Sequence, residues 1–193
     1  VEIPVTKIWK DNDNQDGVRP NKVTVRLLAD GTEVASQELS EATDWKTVFT
    51  NLPKYNHGKQ IVYTVTEDTV ANYSAAIDGT TITNSYKPGK TSVTVTKRWE
   101  DNNDQDGKRP STIKVQLYVD GKAQGKEVEL SAKNNWTHTF SNLPLKAKGK
   151  EIQYQVKEVG TVKGYTSTVD DSNKGNVVIT NSHTPEVTEV AVK

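Results

Sequence analysis

The stretch VTKIWKDNDNQDGVRP at residues 5–20 returns as VTKRWEDNNDQDGKRP at 95–110, an offset of 90. In both, a short alternating run of β-branched and aromatic residues breaks into Asn, Asp and Gly, the pattern of a strand that ends in a turn. Working outward, Asp30-Gly31 matches Asp120-Gly121, Trp45 matches Trp136, and Asn51-Leu52-Pro53 matches Asn142-Leu143-Pro144. Ile82-Thr83-Asn84 aligns with Ile179-Thr180-Asn181 only at an offset of 97, which places an insertion between Tyr165 and Asn176. The chain is a tandem duplication. Its copies are expected at 1–87 and 92–184, with 88–91 as a short linker and 185–193 as a C-terminal linker or tail.

Each copy holds about seven strand-like runs, in the first near 3–10, 22–29, 33–39, 44–49, 60–67, 72–77 and 80–86. No stretch keeps a helical period over three turns. With only 33% hydrophobic residues in 193, each core must be thin and supplied by alternate strand positions. The expected fold is all-β, two small β-sandwiches of immunoglobulin-like class.

Lys+Arg and Asp+Glu both number 25, so there is no basic surplus for phosphate backbones or anionic lipid. No apolar run approaches the roughly 18 residues needed to span a bilayer. The chain has no Cys, which excludes disulfides and thiolate chemistry. It starts VEIPVTKIWK, without Met or a signal-peptide pattern, and is expected to be a fragment whose targeting and anchoring signals lie outside it.

Alternation along the strands exposes an anomaly. Val5, Lys7 and Trp9 share the inward face of the first strand, and Val93, Val95, Lys97 and Trp99 repeat it. Ile61, Tyr63 and Val65 lead inward to Glu67, and Ile152, Tyr154 and Val156 to Glu158. On the last strand the inward series reaches Asn84 in one copy and Asn181 in the other. An unpaired buried ammonium or carboxylate costs several kcal/mol, so the three groups are expected to meet. Two outcomes are open. One is a buried Lys–Glu ion pair with Asn as a hydrogen-bond partner. In the other, desolvation favours neutral amine and protonated acid, and the amine attacks the Asn carboxamide while Glu shuttles protons to departing ammonia. That product is a Lys–Asn isopeptide bond.

The VTKxW strand, the DxQDGxRP loop, the NLP turn, the YxVxE strand and the closing ITNS, five motifs in order and twice over, strongly resemble the CnaB-type domains of Gram-positive surface proteins, the B-type repeats of the staphylococcal collagen adhesin. The resemblance covers nearly the whole chain. It implies an inverse immunoglobulin-like sandwich and an internal isopeptide bond, here Lys7 with Asn84 and Lys97 with Asn181, promoted by Glu67 and Glu158. It also implies a structural stalk, extracellular and cell-wall-anchored on a Gram-positive bacterium. The partners are then further repeats and a ligand-binding region of the same polypeptide, and the wall through an anchor elsewhere. A host-protein-binding module and a pilin-type subunit are the alternatives. No enzyme activity beyond this single-turnover self-modification is expected, nor any cofactor, metal, nucleic acid, membrane insertion or obligate oligomer.

Other constellations weigh less. The Asp/Asn-rich loops touch the start of a calcium-binding pattern, but Val23 and Ile113 stand where its bidentate acid is required. Asx turns and a positive-φ Gly explain them more simply. His57, His138 and His183 share no spacing that suggests a metal or a base. Trp9, Trp45, Trp99 and Trp136 read as core or flanking aromatics, and Asn72 and Asn135 open glycosylation sequons.

Overall fold

The computed structural model describes residues Val1–Lys193. They divide into two compact units, the first holding Val1–Gly89 and the second Lys90–Leu145 and Glu151–Lys193.

In the first unit β1 (Ile3–Lys10), β2 (Lys22–Ala29), β3 (Thr32–Ser40), β4 (Lys46–Phe49), β5 (Tyr55–Asn56), β6 (Lys59–Gln60), β7 (Tyr63–Glu67), β8 (Ser74–Asp78) and β9 (Thr81–Ser85) follow in order. One sheet runs β4-β1-β9-β8 and the other β3-β2-β7, with β5 and β6 as a separate hairpin. Every pairing is antiparallel except β1 with β9, so the first and last strands of the unit lie side by side and parallel. Val5, Phe49 and Ile82 from one sheet pack with Val25, Leu27, Leu39 and Val65 from the other. Each strand contributes alternate residues, and the two inner faces make one thin core, a β-sandwich.

The second half of the chain repeats the order with β10 (Lys90–Glu100), β11 (Thr112–Val119), β12 (Lys122–Ser131), β13 (Thr137–Pro144), β14 (Lys146–Ala147), β15 (Lys150–Glu151), β16 (Tyr154–Glu158), β17 (Thr166–Asp170) and β18 (Asn176–Ser182). Its sheets are β13-β10-β18-β17 and β12-β11-β16, and β10 runs parallel to β18. The inserted residues sit in the β17–β18 hairpin, whose connection covers 171–175 where the first unit needs only Gly79 and Thr80. The fold is all-β, two tandem sandwiches, as the strand pattern predicts.

Three boundaries differ from the pattern. The run at 60–67 becomes a strand only at Tyr63, because His57 and Gly58 both take positive φ and turn Tyr55–Gln60 into its own tight hairpin. The run at 44–49 begins at Lys46. Asp44 and Trp45 adopt left-handed conformations after a 3-10 turn at Glu41–Thr43, in which Ser40 N–H donates to Thr43 Oγ1 at 3.0 Å. Finally, β10 takes in Lys90 and Thr91, which pair with Pro144 and Leu143.

Candidate functional site

Positive φ is uncommon for a residue as bulky as Trp, yet Trp45 and Trp136 both adopt it. Each is held by its surroundings. Trp45 N–H donates to Ser40 O at 2.9 Å, and its ring meets Trp9 edge-on at 5.2 Å. Its carbonyl then accepts from Lys7 N–H at 2.8 Å, and Trp136 does the same for Lys97 at 2.7 Å. The strained turn thus anchors the backbone of the inward lysine in each unit.

That lysine side chain is fully buried in both units. β1 and β9 are in register with Lys7 opposite Ile82 and Trp9 opposite Asn84, so Asn84 lies one diagonal step from Lys7 on the same inner face. The carboxylate comes from the facing sheet, where Glu67 pairs with Val25. Lys7 Nζ is 2.6 Å from Glu67 Oε2 across the core. The angles of that contact are not those of a hydrogen bond, so Lys7 Nζ, both Glu67 oxygens and both ends of the Asn84 carboxamide are buried without a directional partner.

In the second unit Lys97 donates to Glu158. The Asn181 amide nitrogen donates to both carboxylate oxygens of Glu158, at 3.2 and 3.3 Å, while its carbonyl oxygen is left without a donor. All six residues singled out in the sequence therefore face the two cores, and in each unit the lysine reaches the acid.

The electrostatics follow from this burial. Desolvation pushes the Lys7 ammonium below its ordinary pKa, and the adjacent Glu67 carboxylate pulls part of the way back. Lys97 is lowered in the same sense, with Glu158 opposing. Both amines also lie against the neighbouring indole, 4.5 Å from the Trp9 centroid and 4.9 Å from that of Trp99. Lowering the pKa of an amine raises its neutral, nucleophilic fraction.

The acidic loop takes a larger structural part than its composition suggests. Asn12, Asp13 and Asn14 are three consecutive residues at φ near 55°, and Asn102, Asn103 and Asp104 repeat the turn. Asn and Asp tolerate that region best among residues with a side chain, which explains the composition of the loop without a bound ion. Asp11 closes it: its carboxylate accepts from Asn14 N–H at 3.0 Å, from Arg19 at 2.7 and 3.0 Å, and from the Tyr73 hydroxyl at 2.6 Å. Asp101, Asp104, Arg109 and Tyr165 form the same clasp. Arg19 and Tyr73 in turn pack on Trp9, the aromatic beside the lysine. The Asx turn was legible in the sequence, whereas the arginine and tyrosine partners lie too far along the chain for spacing to identify them.

A second tie was missed. Asp16 accepts from the Tyr86 hydroxyl at 2.7 Å and from Gly89 N–H at 2.9 Å. In the other copy Asp106 accepts from Glu186 N–H at 2.9 Å and faces His183 Nε2 at 2.8 Å. His183 occupies the position of Tyr86, and Asp106 raises its pKa, assisted by the Gly164 carbonyl. The counterpart pairing of SYKPGKT with SHTPEVT contained that signal.

The Asp11 clasp gives a pH prediction. Burial alone would raise Asp11, but Arg19, Tyr73 and the Asn14 N–H outweigh it and bring it to about 2. Asp101, beside Arg109, is also held below the usual carboxylate range. A depressed folded-state pKa stabilises the fold above the unfolded carboxylate value near 3.8 and stops doing so as pH falls through about 2. The loss at Asp11 is about 2 kcal/mol, or about 10 °C in Tm for a domain of this size. Calorimetry between pH 5 and 2 should show a steeper fall in Tm for the wild type than for Asp11→Asn/Asp101→Asn, and parallel curves would refute the clasp as its source.

The fold and the inward lysine, glutamate and asparagine of each unit define the class, tandem β-sandwich repeats with a polar cluster in each core. Residues 3–85 and 93–182 match the Cna protein B-type domain, and the chain belongs to that family. It is 57% identical over 185 residues to a collagen adhesin of Staphylococcus aureus, an alignment that covers 96% of this chain and 16% of the adhesin. Among solved structures it resembles a single B repeat unit, B1, of the collagen-binding surface protein of Staphylococcus aureus. The identity is 55%, with 96% of this chain and 99% of that one covered and a TM-score of 0.49. It also resembles the two-unit B1B2 fragment of the same protein, at 55% identity over 95% of this chain and 49% of the other, with a TM-score of 0.48.

Proposed function

We propose that the chain is a pair of structural stalk modules of a Gram-positive, cell-wall-anchored adhesin, each locked by an autocatalytic isopeptide bond, Lys7 to Asn84 and Lys97 to Asn181. The observation that carries this reading is the burial of a lysine amine against a carboxylate beside an inward asparagine on the neighbouring parallel strand, in both units.

In the mechanism, Glu67 or Glu158 takes a proton from the lysine, Nζ attacks Cγ of the asparagine, and the acid delivers the proton to Nδ2, which leaves as ammonia. Folding supplies the alignment, worth about 7–11 kcal/mol of the barrier in well-oriented intramolecular reactions. The role follows from topology. The linked strands are the first and last of each unit, so tension enters and leaves through the bond, and the short segment between β9 and β10 joins two stiff units into a spacer. The adhesin relative, 57% identical, supports a surface location, and the spacer would hold a ligand-binding region of the same polypeptide away from the wall.

Intact mass tests this. Each bond expels ammonia, so the wild-type chain should fall about 34 Da below its calculated mass, about 17 Da for each unit. Glu67→Ala should recover one deficit and Glu158→Ala the other. A wild-type chain at its calculated mass would sink the reading, and deficits that persist in the Ala variants would remove the two acids from the mechanism.

A further inference from the structure

A cavity of about 230 Å³ in the second unit has Glu158 and Asn181 in its lining, together with Thr161, Val162, Ser167 and Val169. Its floor is buried, since Asn181 is 1% exposed. Its mouth is open, since Val169 is 52% exposed and Thr161 and Ser167 are also exposed. Ser167 is the register partner of Asn181 on the edge strand β17, so one strand position separates the carboxamide from solvent. Lys97 is not part of the lining. The amine donates to Glu158 and lies outside the lining, whereas Asn181, whose amide nitrogen donates to the same carboxylate, is part of it. At roughly 30 Å³ per water, the space holds several small molecules.

We propose that this cavity is the exit passage for the ammonia released from Asn181 and a site that admits small uncharged amines to the Asn181 carboxamide. The inference rests on the Lys97–Asn181 bond proposed above. In the native step the Nζ–Cγ bond forms and the Cγ–Nδ2 bond breaks. One proton passes from Nζ through Glu158 to Nδ2, and neutral ammonia leaves by a route that the lysine does not block. With Lys97 removed, a small amine entering by the same route takes the place of Nζ: its nitrogen bonds to Cγ, its proton passes through Glu158, and ammonia departs as before.

The full chain carrying Lys97→Ala, with Lys97→Met as a second background should the smaller side chain not fold, is incubated with methylamine at alkaline pH. Exchange of ammonia for methylamine adds about 14 Da, which tandem mass spectrometry should localise to Asn181. Adding Ser167→Trp or, independently, Thr161→Trp should plug the mouth and slow the uptake at least about tenfold, the scale of loss that misplacement near a reacting centre produces. Equal uptake with and without both plugs overturns the passage. So does the absence of any adduct while the wild type carries both ammonia deficits. A wild type without the second deficit overturns instead the bond on which the passage rests.

Discussion

Asn84→Ala and Asn181→Ala should each lower the Tm of their unit by about 20–35 °C. The proposed Lys7–Asn84 bond would close a loop of 77 residues (84 − 7) and the proposed Lys97–Asn181 bond one of 84 (181 − 97). By the chain-entropy relation used for disulfides, either closure is worth about 4.5 kcal/mol. For a domain of fewer than a hundred residues each kcal/mol moves Tm by about 4–8 °C. The size of the effect discriminates between the two outcomes that the sequence leaves open. A carboxamide that only completes a buried polar cluster contributes about 1–3 kcal/mol when removed, and the Lys–Glu pair remains in these variants. Calorimetry on each variant, with the other unit as an internal reference, reads the difference. A drop of about 10 °C or less would favour the ion pair over the bond.

The second large effect is mechanical. In a unit joined between its first and last strands, a pull on the two ends passes through the bond, and the core between them carries no tension. Single-molecule extension of the wild-type chain should therefore show no unfolding step from either unit before the attachment fails. The Asn84→Ala/Asn181→Ala chain should show two. At about 3.5 Å per extended residue, the released lengths would be about 270 Å for the 77-residue loop and about 290 Å for the 84-residue loop, less the folded end-to-end distance. Unfolding steps of that length in the wild type would contradict the proposed inextensible tether, whatever the chain's thermal stability.

The contrast between the two units bears on both experiments. Lys97, Glu158 and Asn181 form a hydrogen-bonded triad, whereas Lys7 and Glu67 approach without hydrogen-bond alignment beside an unpartnered Asn84. The same residues on the same strands can thus be held in two arrangements, and reading each unit separately by mass and by Tm is necessary for that reason.

Much of the fold was legible because a strand has a period of two. Alternation alone separated Val5, Lys7 and Trp9 from their outward neighbours, and the buried set of β1 follows that split. Repetition supplied a second reading of every position, which is how one inward lysine became a pattern. Alternation carries no information about which strand lies beside which. It could not show that β1 and β9 run parallel, nor that Glu67 reaches Lys7 from the opposite sheet. It also failed at Trp45, where a strand-like residue is forced into a left-handed turn by its packing on Trp9 and its hydrogen bonds to Ser40 and Lys7.

By itself, then, the sequence determined the duplication, the all-β class, the thin cores and the three polar residues turned inward in each copy, because local periodicity and composition are properties of neighbours along the chain. Only the tertiary structure decided that the lysine amine and the carboxylate meet, that Arg19 and Tyr73 clamp the Asp11 loop onto Trp9, and that a cavity opens from Asn181 to solvent. Those contacts join residues as many as 64 positions apart (Trp9 and Tyr73, 73 − 9), and desolvation, which sets the chemistry of a buried amine, exists only once two sheets have closed over it.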